Sequence, residues 1–210
     1  MHLEKGFLKR RFYLMEVKKE DRRVRKTKRL LRQGLSQLMM QKKIKDISVR
    51  ELAELVDINR GTFYIHYRDI YDMVAQIENE MYEDFKHIVE SHTVPTDAGS
   101  LRFLIDFFTY ISENREMVVA LLSSNGDIAF LSRIQAMLHV RAMEILGSRY
   151  PHQNARDFEF FYDFVAAGTV QLLNTWLTKE TQKTPQEMAE LTIRLIKSCS
   201  GIFKDDIDVI

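Results

Sequence analysis

Apolar residues recur at helical spacing along most of this chain, and the first clear stretch runs from Val24 to Gln41. Leu31, Leu35 and Leu38 follow one another at intervals of four and three residues, which places them on one face of an α-helix. The opposite face is basic and carries Arg25, Lys28, Arg29 and Arg32. The pattern therefore predicts an amphipathic first helix with one apolar and one basic face.

A short second helix is predicted from Ser48 to Val56. Ser48 is a favourable N-cap, and Glu51 follows three residues later, as in a capping box. Ile47 and Leu52 have the spacing of a hydrophobic staple, in which the residue before the cap packs on the first turn of the helix.

A third helix is predicted from Asn59 to Tyr67, with Asn59 as its cap and Ile58 and Phe63 as its staple. Only Asp57 and Ile58 separate it from the second helix. Two short helices with so tight a link are typical of a helix-turn-helix.

The rest of the chain is predicted to be helical too, which gives an all-α protein of about nine helices. Asp69 caps a long helix to about Ser91, and Pro and Gly residues separate the later ones at about 100–113, 115–123, 127–148, 153–179 and from Pro185 to about Phe203. We expect a mobile N-terminal extension at 1–21, a helix-turn-helix domain at 22–74 and a helical regulatory and dimerisation domain at 75–210. The basic, partly apolar residues 1–21 leave a membrane-surface helix open as an alternative.

Composition narrows the class of protein. The 210 residues are 45% hydrophobic and 29% charged, with only 8 Gly and 3 Pro, which is typical of a folded helical protein. One cysteine, Cys199, excludes an internal disulfide or a cysteine-rich zinc site. No apolar run is long enough to span a membrane, and the N-terminus lacks the apolar stretch of a secretory signal. These features predict a cytoplasmic protein with no membrane partner.

The net charge of +1 hides a strong asymmetry. Residues 1–68 contain 19 Lys and Arg against 8 Asp and Glu, whereas residues 69–210 contain 12 against 22. A basic N-terminal module suits a polyanion such as nucleic acid, because binding releases counterions.

The start of the third helix carries the candidate DNA-reading chemistry. A helix-turn-helix reads base edges with the first turn of its second helix, here Arg60, Gly61 and Thr62. Arg can bind guanine through two hydrogen bonds, and Gly allows close approach of the backbone. Tyr64, His66 and Tyr67 supply donors for phosphate oxygens, and Arg50 can reach a phosphate or a base.

Residues 24–74 resemble the N-terminal domain of the tetracycline-repressor (TetR) family of bacterial regulators. The resemblance rests on the first helix from Thr27, the segment from Ile47 to Glu54, and the recognition helix with Thr62, Tyr64, His66 and Tyr67 followed by an acidic-apolar fourth helix. The DNA-contacting residues expected here are Thr27, Lys28, Ser48, Arg50, Asn59, Arg60, Gly61, Thr62, Tyr64, His66, Tyr67 and Arg68.

Two positions depart from the family pattern. Asp57 stands in the turn where members usually have Gly, so the turn is expected to hold an Asp in left-handed backbone. Ile70 stands where members usually have a Lys that holds the DNA backbone, and Arg68 is the residue that could compensate.

For the body, the resemblance implies a ligand pocket and a dimer interface. The aromatic and methionine residues expected at the pocket are Phe103, Phe107, Tyr110, Met117, Leu121, Phe130, Met137, Phe161 and Phe164. Apolar stripes on the last two helices give the expected interface: Phe161, Val165, Gly168, Leu172, Trp176, Leu191, Leu195 and Cys199. Each set has an alternative interpretation as ordinary core of a single subunit.

We find no catalytic pattern, metal site or cofactor motif in the sequence. Asp84 and His87 form a single Asp-x-x-His pair, where a di-metal helical bundle needs two Glu-x-x-His pairs. His139 and Cys199 lie within helical stretches and are interpreted as structural side chains.

The sequence predicts a homodimeric transcriptional repressor of a bacterial nucleoid that binds a pseudo-palindromic DNA operator and is switched by a small-molecule effector through the fourth helix. The alternative is a DNA-bound architectural or adaptor protein that recruits a protein partner and has no effector.

Overall fold

The computed structural model describes residues 22–92, 96–179 and 182–203. Within these ranges the chain forms nine α-helices and two short 3-10 helices, with no β-strand, so the predicted all-α class is confirmed. The extension predicted at 1–21 lies outside the described residues.

Three helices form what we call the head: α1 (Arg22–Met39), α2 (Val49–Leu55) and α3 (Arg60–His66), with a 3-10 turn at Ile44–Asp46. The long helix α4 (Ile70–Ser91) follows. The remaining helices form the body: α5 (Asp97–Glu113), α6 (Arg115–Leu122), α7 (Ile128–Arg149), α8 (Ala155–Thr178) and α9 (Pro185–Cys199), which ends in a 3-10 turn at Ser200–Phe203.

The predicted N-caps of the head are in place. The Ser48 hydroxyl accepts a hydrogen bond from the Glu51 N–H at 3.2 Å, and the Asn59 side chain accepts one from the Gly61 N–H at 2.7 Å. The Glu51 carboxylate binds Lys42 Nζ at 2.5 and 2.6 Å, which connects α2 to the turn that follows α1.

Helix boundaries in the body differ from the sequence predictions by at most four residues, because caps decide where helices begin. Thr96 accepts a hydrogen bond from the Gly99 N–H, so α5 begins at Asp97 rather than near residue 100. Thr184 and Glu187 form a complete capping box around Pro185, which fixes the start of α9.

The head packs around the leucine face predicted for α1. Leu31 and Leu35 are fully buried and Leu38 is 4% exposed. Gly34 lies between them, and a Cβ at this position would clash with side-chain atoms of Val56 and Leu52. The missing side chain therefore lets α1 approach α2 closely.

Head and body share one apolar core. A continuous cluster of buried residues extends from Leu31 in α1 to Ala189 in α9, and α1 packs closely against α6. In the body, α9 packs mainly on α5, and α7 packs on both α4 and α8. A smaller cluster of Leu146, Phe158, Phe161 and Phe203 closes the end of the body where α7 and α9 finish.

Candidate nucleic-acid interface and effector cavity

The recognition helix α3 is anchored by its own buried aromatic residue. Phe63 has no exposed surface, and its ring lies 5.5 Å from that of Tyr64 and 5.6 Å from that of Tyr67. One side of α3 is thereby fixed to the head core, and the opposite side faces outward.

The outward side of α3 carries most of the reading residues that the sequence indicates. Arg60 and Gly61 are exposed, Tyr64 is 58% exposed, and Thr62 and His66 are half-buried. A Cβ built on Gly61 would meet only the Asn59 side chain, at 3.2 Å. Packing within the chain therefore does not demand glycine here, and the open backbone suits close approach of a ligand such as DNA.

Tyr67 is placed differently from the sequence expectation. Its side chain is 6% exposed and packs on Phe63, whereas the sequence predicted that its hydroxyl donates to a phosphate. The reason is its position: Tyr67 is the C-cap of α3, four residues after Phe63, and therefore lies over the same buried face.

The remaining predicted contacts lie on α1, on α2 and at the two ends of α3. Ser48, Arg50, Asn59 and Arg68 are exposed, and Thr27 and Lys28 on α1 are half-buried. Arg50 Nε binds Glu54 Oε1 at 2.8 Å, so its guanidinium is held along α2. Arg68 Nε lies 3.4 Å from Asp69 Oδ2.

The start of α4 supports Arg68 through its backbone. The Arg68 N–H donates to Asp72 Oδ2 at 2.8 Å, and the Gln76 amide donates to the same oxygen at 3.1 Å. These bonds, the first above all, hold the pKa of the Asp72 carboxyl below its usual range. Ile70, where the family pattern has Lys, is 4% exposed and belongs to the core.

Two exposed apolar residues beside this surface escaped the sequence analysis. Ile65 on α3 is 76% exposed and Tyr71 on α4 is 60% exposed. Ile65 follows Phe63 by two residues, a separation of about 200° around a helix, so helical phase was the signal that could have revealed it.

The body contains an apolar cavity of about 360 Å³, lined by residues of α4 to α9. This volume falls in the range typical of small-molecule sites. Of the residues predicted for a pocket, five line this cavity: Phe103, Phe107, Leu121, Phe130 and Phe161.

The other predicted pocket residues have different surroundings. Tyr110 donates a hydrogen bond to Asp84 Oδ2 at 3.0 Å, and burial is the main cause that raises the pKa of its phenol. Met117 is buried towards Leu35 and Met39 of the head. Met137 packs on the core without lining the cavity, and Phe164 is 68% exposed.

The predicted interface residues fall into two groups. Phe161 and Trp176 are buried within the subunit, and the Trp176 indole donates to the Lys183 carbonyl at 2.9 Å. Gly168 and Leu195 are exposed, and nothing lies within 4 Å of a Cβ built on Gly168. The half-buried members are Val165, Leu172, Leu191 and Cys199.

Polar contacts join head and body beside the shared core. Arg32 of α1 donates to Asn114 Oδ1 at 3.2 Å and lies 3.7 Å from Glu80 Oε2 of α4. The Asn125 amide donates to the Met39 carbonyl at 3.1 Å. Arg32 therefore connects the head to the body rather than belonging to an outward basic face.

In the described part of the chain, no group of three or more His, Cys, Asp or Glu residues is arranged to hold a metal ion. His139 Nε2 lies 2.6 Å from Glu159 Oε2, and Cys199 is half-buried. Among the described helices, none is both long and apolar enough to cross a membrane.

Comparison with known proteins relates the chain to transcriptional regulators. Residues 100–198 match the TetR-type family described as "Transcriptional regulator C-terminal region". No match is found among curated protein sequences.

Solved structures share the fold at low sequence identity. A transcriptional regulator of the TerR/AcrR family from Aquifex aeolicus has 16% identity and a TM-score of 0.59, covering 82% of this chain and 98% of its own. A tetR-family regulator from Streptomyces coelicolor has 14% identity and a TM-score of 0.57, covering 85% and 82%. The regulator FadR from Bacillus subtilis, in complex with stearoyl-CoA, has 12% identity and a TM-score of 0.57, covering 81% and 97%.

Proposed function

We propose that this chain is a homodimeric repressor of the TetR family of transcriptional regulators, and that its α3 helices read a pseudo-palindromic operator. An effector in the body cavity weakens this binding. The protein acts in the cytoplasm, at the bacterial nucleoid.

The exposed first turn of α3 carries this proposal. Asn59 caps the turn, Phe63 anchors the helix, and Arg60 and Tyr64 face solvent beside the open backbone of Gly61. Exposed Arg25 and Arg29 on α1 add cationic groups to the same head. A helix with a fixed inner side and a basic, hydrogen-bonding outer side suits the major groove.

Dimerisation follows from the need to read two half-sites, about 34–36 Å or a multiple of that apart. The outward surfaces of α8 and α9 support it, since Phe164 is 68% exposed, Leu195 is 46% exposed and Gly168 borders open space. Two helices from each subunit would form a four-helix bundle.

Effector control would pass through two helices. Along α4, Met73 and Ile77 are buried in the core shared with the head, while Met81 and Phe85 line the cavity. On α6, Leu121 borders both the cavity and the packing against α1. An effector that prefers one arrangement of these helices shifts the spacing of the two heads, whereas an effector without such a preference changes nothing.

The test is selection of bound DNA from a random library at fixed salt, followed by gel shift of variants. Arg60→Ala should weaken operator binding by about 10- to 100-fold and relax the base preference at one position of each half-site. Tyr64→Ala should also reduce affinity, and Tyr64→Phe separates the hydroxyl from the ring.

Arg102→Ala is the matched control, because Arg102 is also exposed but lies on α5 in the body. Circular dichroism verifies that each variant is folded. Unchanged operator affinity in Arg60→Ala and Tyr64→Ala would contradict the proposal that α3 reads the DNA. A library without any enriched sequence would favour the adaptor alternative.

A further inference from the structure

The charged groups of the body cavity are all of one sign. They are Arg141, Arg149 and Lys197, His92 lies beside Arg141, and the lining contains no Asp or Glu among the described residues. This is unexpected from composition, because residues 69–210 hold 22 acidic against 12 Lys and Arg residues. The carboxylates that contact His92 and Arg141, those of Asp106 and Glu144, lie outside the lining.

The cations also lie at one end of the cavity. Along α4 the lining runs from Met81 and Phe85 to His92, which directly follows the helix. Along α7 it runs from Phe130 to Arg141 and Arg149. The early residues of both helices lie towards the head, so the lining near the head is apolar. The basic residues lie farther from the head, with Ile145 and Leu146 between Arg141 and Arg149.

Helix α9 has the same polarity. Lys197 is near its C-terminal end, next to the turn Ser200–Phe203, and Phe203 packs 5.4 Å from the ring of Tyr150 at the end of α7. Lys197 and Arg149 therefore come from the same end of the body on different helices. Three helices thus place their basic lining residues away from the head.

Arg141 is held in position by its neighbours. Its guanidinium donates to Glu144 Oε2 at 2.8 Å and to the His92 carbonyl at 3.1 Å. The His92 ring is fixed in turn by Asp106, with Nε2 and Oδ2 2.8 Å apart. A cation fixed before binding gives an anion a partner at a lower entropic cost.

We propose that the cavity takes a single-chain amphiphile with an anionic head group, its hydrocarbon chain pointing towards the head of the protein and its anion meeting Arg141 and Lys197. The proposal rests on the effector site proposed above and specifies the chemistry of its ligand. Each methylene that the apolar walls bury makes the binding free energy more favourable. A buried anion is stable only where cations pair with it.

The experiment compares ligands of equal chain length on the full protein without DNA, below their aggregation concentrations, by isothermal titration calorimetry. The probes are decanoate, decyl phosphate, 1-decanol and decyltrimethylammonium. Decanoate, decyl phosphate or both should bind at least about tenfold more tightly than 1-decanol. Decyltrimethylammonium should bind most weakly. Decanoate against decyl phosphate distinguishes carboxylate from phosphate recognition.

Chain length and variants test the two ends of the cavity separately. Affinity should rise about fourfold per methylene from octanoate to dodecanoate. Arg141→Gln and Lys197→Gln should each weaken decanoate binding about tenfold and leave 1-decanol unchanged. Arg133→Gln is the control on the same helix α7, because Arg133 stacks over Tyr82 and does not line the cavity.

Equal binding of acid and alcohol, or preference for the cation, would overturn the proposal, as would equal losses in Arg133→Gln and Arg141→Gln. A gel shift with the selected DNA and each ligand distinguishes failure of this proposal from failure of the proposed function. Anions that bind without affecting the DNA complex contradict the effector switch alone, and release of DNA only by uncharged or cationic compounds contradicts the ligand class alone.

Discussion

At the scale of single residues, the turn between α2 and α3 depends on an aspartate in a glycine-like conformation. Asp57 has φ of 53°, the only positive value of a non-glycine residue in the described ranges. The Ile58 N–H donates to the Ala53 carbonyl at 3.0 Å and the Asp57 N–H to the Glu54 carbonyl at 3.4 Å, the pattern of a Schellman motif. The bonds that end α2 thereby hold Asp57 in left-handed backbone.

Replacing Asp57 tests this account. Asp57→Gly should stabilise the protein by about 0.5–1 kcal/mol, because relief of the left-handed strain exceeds the extra chain entropy of glycine, and Asp57→Ala should destabilise it by about 1 kcal/mol. Urea unfolding of the three proteins measures the difference. An alanine variant as stable as the glycine variant would show that the turn carries no backbone strain.

At the scale of helices, a buried acid marks the contact of α4 with α1 and α6. Glu78 is 8% exposed and lies among Leu35, Met39 and Leu121, and its Oε1 atom has no hydrogen-bond partner in the described part of the chain. Burial, with a smaller contribution from Asp127 that Arg133 opposes, raises the pKa of the Glu78 carboxyl to about 7.

This carboxyl should make stability depend on pH. Between about pH 4.5 and 7 the folded state keeps a proton that the unfolded state has lost, so stability falls as pH rises through this range. The full effect above pH 7 is at most about 3 kcal/mol, since one pKa unit corresponds to about 1.4 kcal/mol. Glu78→Gln should flatten this decline, as measured by urea unfolding at pH 5 and pH 8.

Glu83→Gln is the control for Glu78→Gln, because Glu83 is exposed on the same helix. It should leave the pH dependence in place. Equal pH dependence in the wild type and in Glu78→Gln would mean that the buried acid is not the source.

The helices also differ in how much of their structure could be predicted from the sequence. The starts of α2, α3 and α4 could be predicted because Ser48, Asn59 and Asp69 act through hydrogen bonds a few residues away. The packing of α1 on α6 could not, because Leu35 and Leu121 meet only after the chain has folded. On α8, Phe161 and Phe164 look alike in the sequence, yet one is buried and the other is 68% exposed.

In the candidate site, too, the features set by neighbouring residues in the sequence could be predicted, and those set by tertiary packing could not. The capped first turn of α3 could be located from local sequence, whereas the burial of Tyr67 could not be predicted, because it depends on the head core. Cavity-lining and core positions share the same apolar chemistry, so composition alone could not separate Phe107 from Phe164.

At the scale of the whole molecule, the proposed dimer needs the open surface around Gly168. A leucine there finds no steric conflict within one subunit but would stand between two closely packed subunits. Gly168→Leu should therefore raise the dimer dissociation constant at least about tenfold, as measured by sedimentation equilibrium.

The chain offers a matched control for this variant. Gly147 on α7 also lies within a helix, and nothing lies within 4 Å of a Cβ built there, so Gly147→Leu should leave the dimer intact. A dimer that withstands Gly168→Leu, or that dissociates equally in both variants, would place the interface elsewhere.

The single apolar cluster from Leu31 to Ala189 has a consequence for engineering. If the head were separated from the body, Leu35 and Met39 would be exposed to water where Met117 and Leu121 now cover them. Because this exposure is unfavourable, the head should not be transferable as an independent unit to another regulator. A hybrid protein would have to keep the apolar residues of both α1 and α6 that pack against each other.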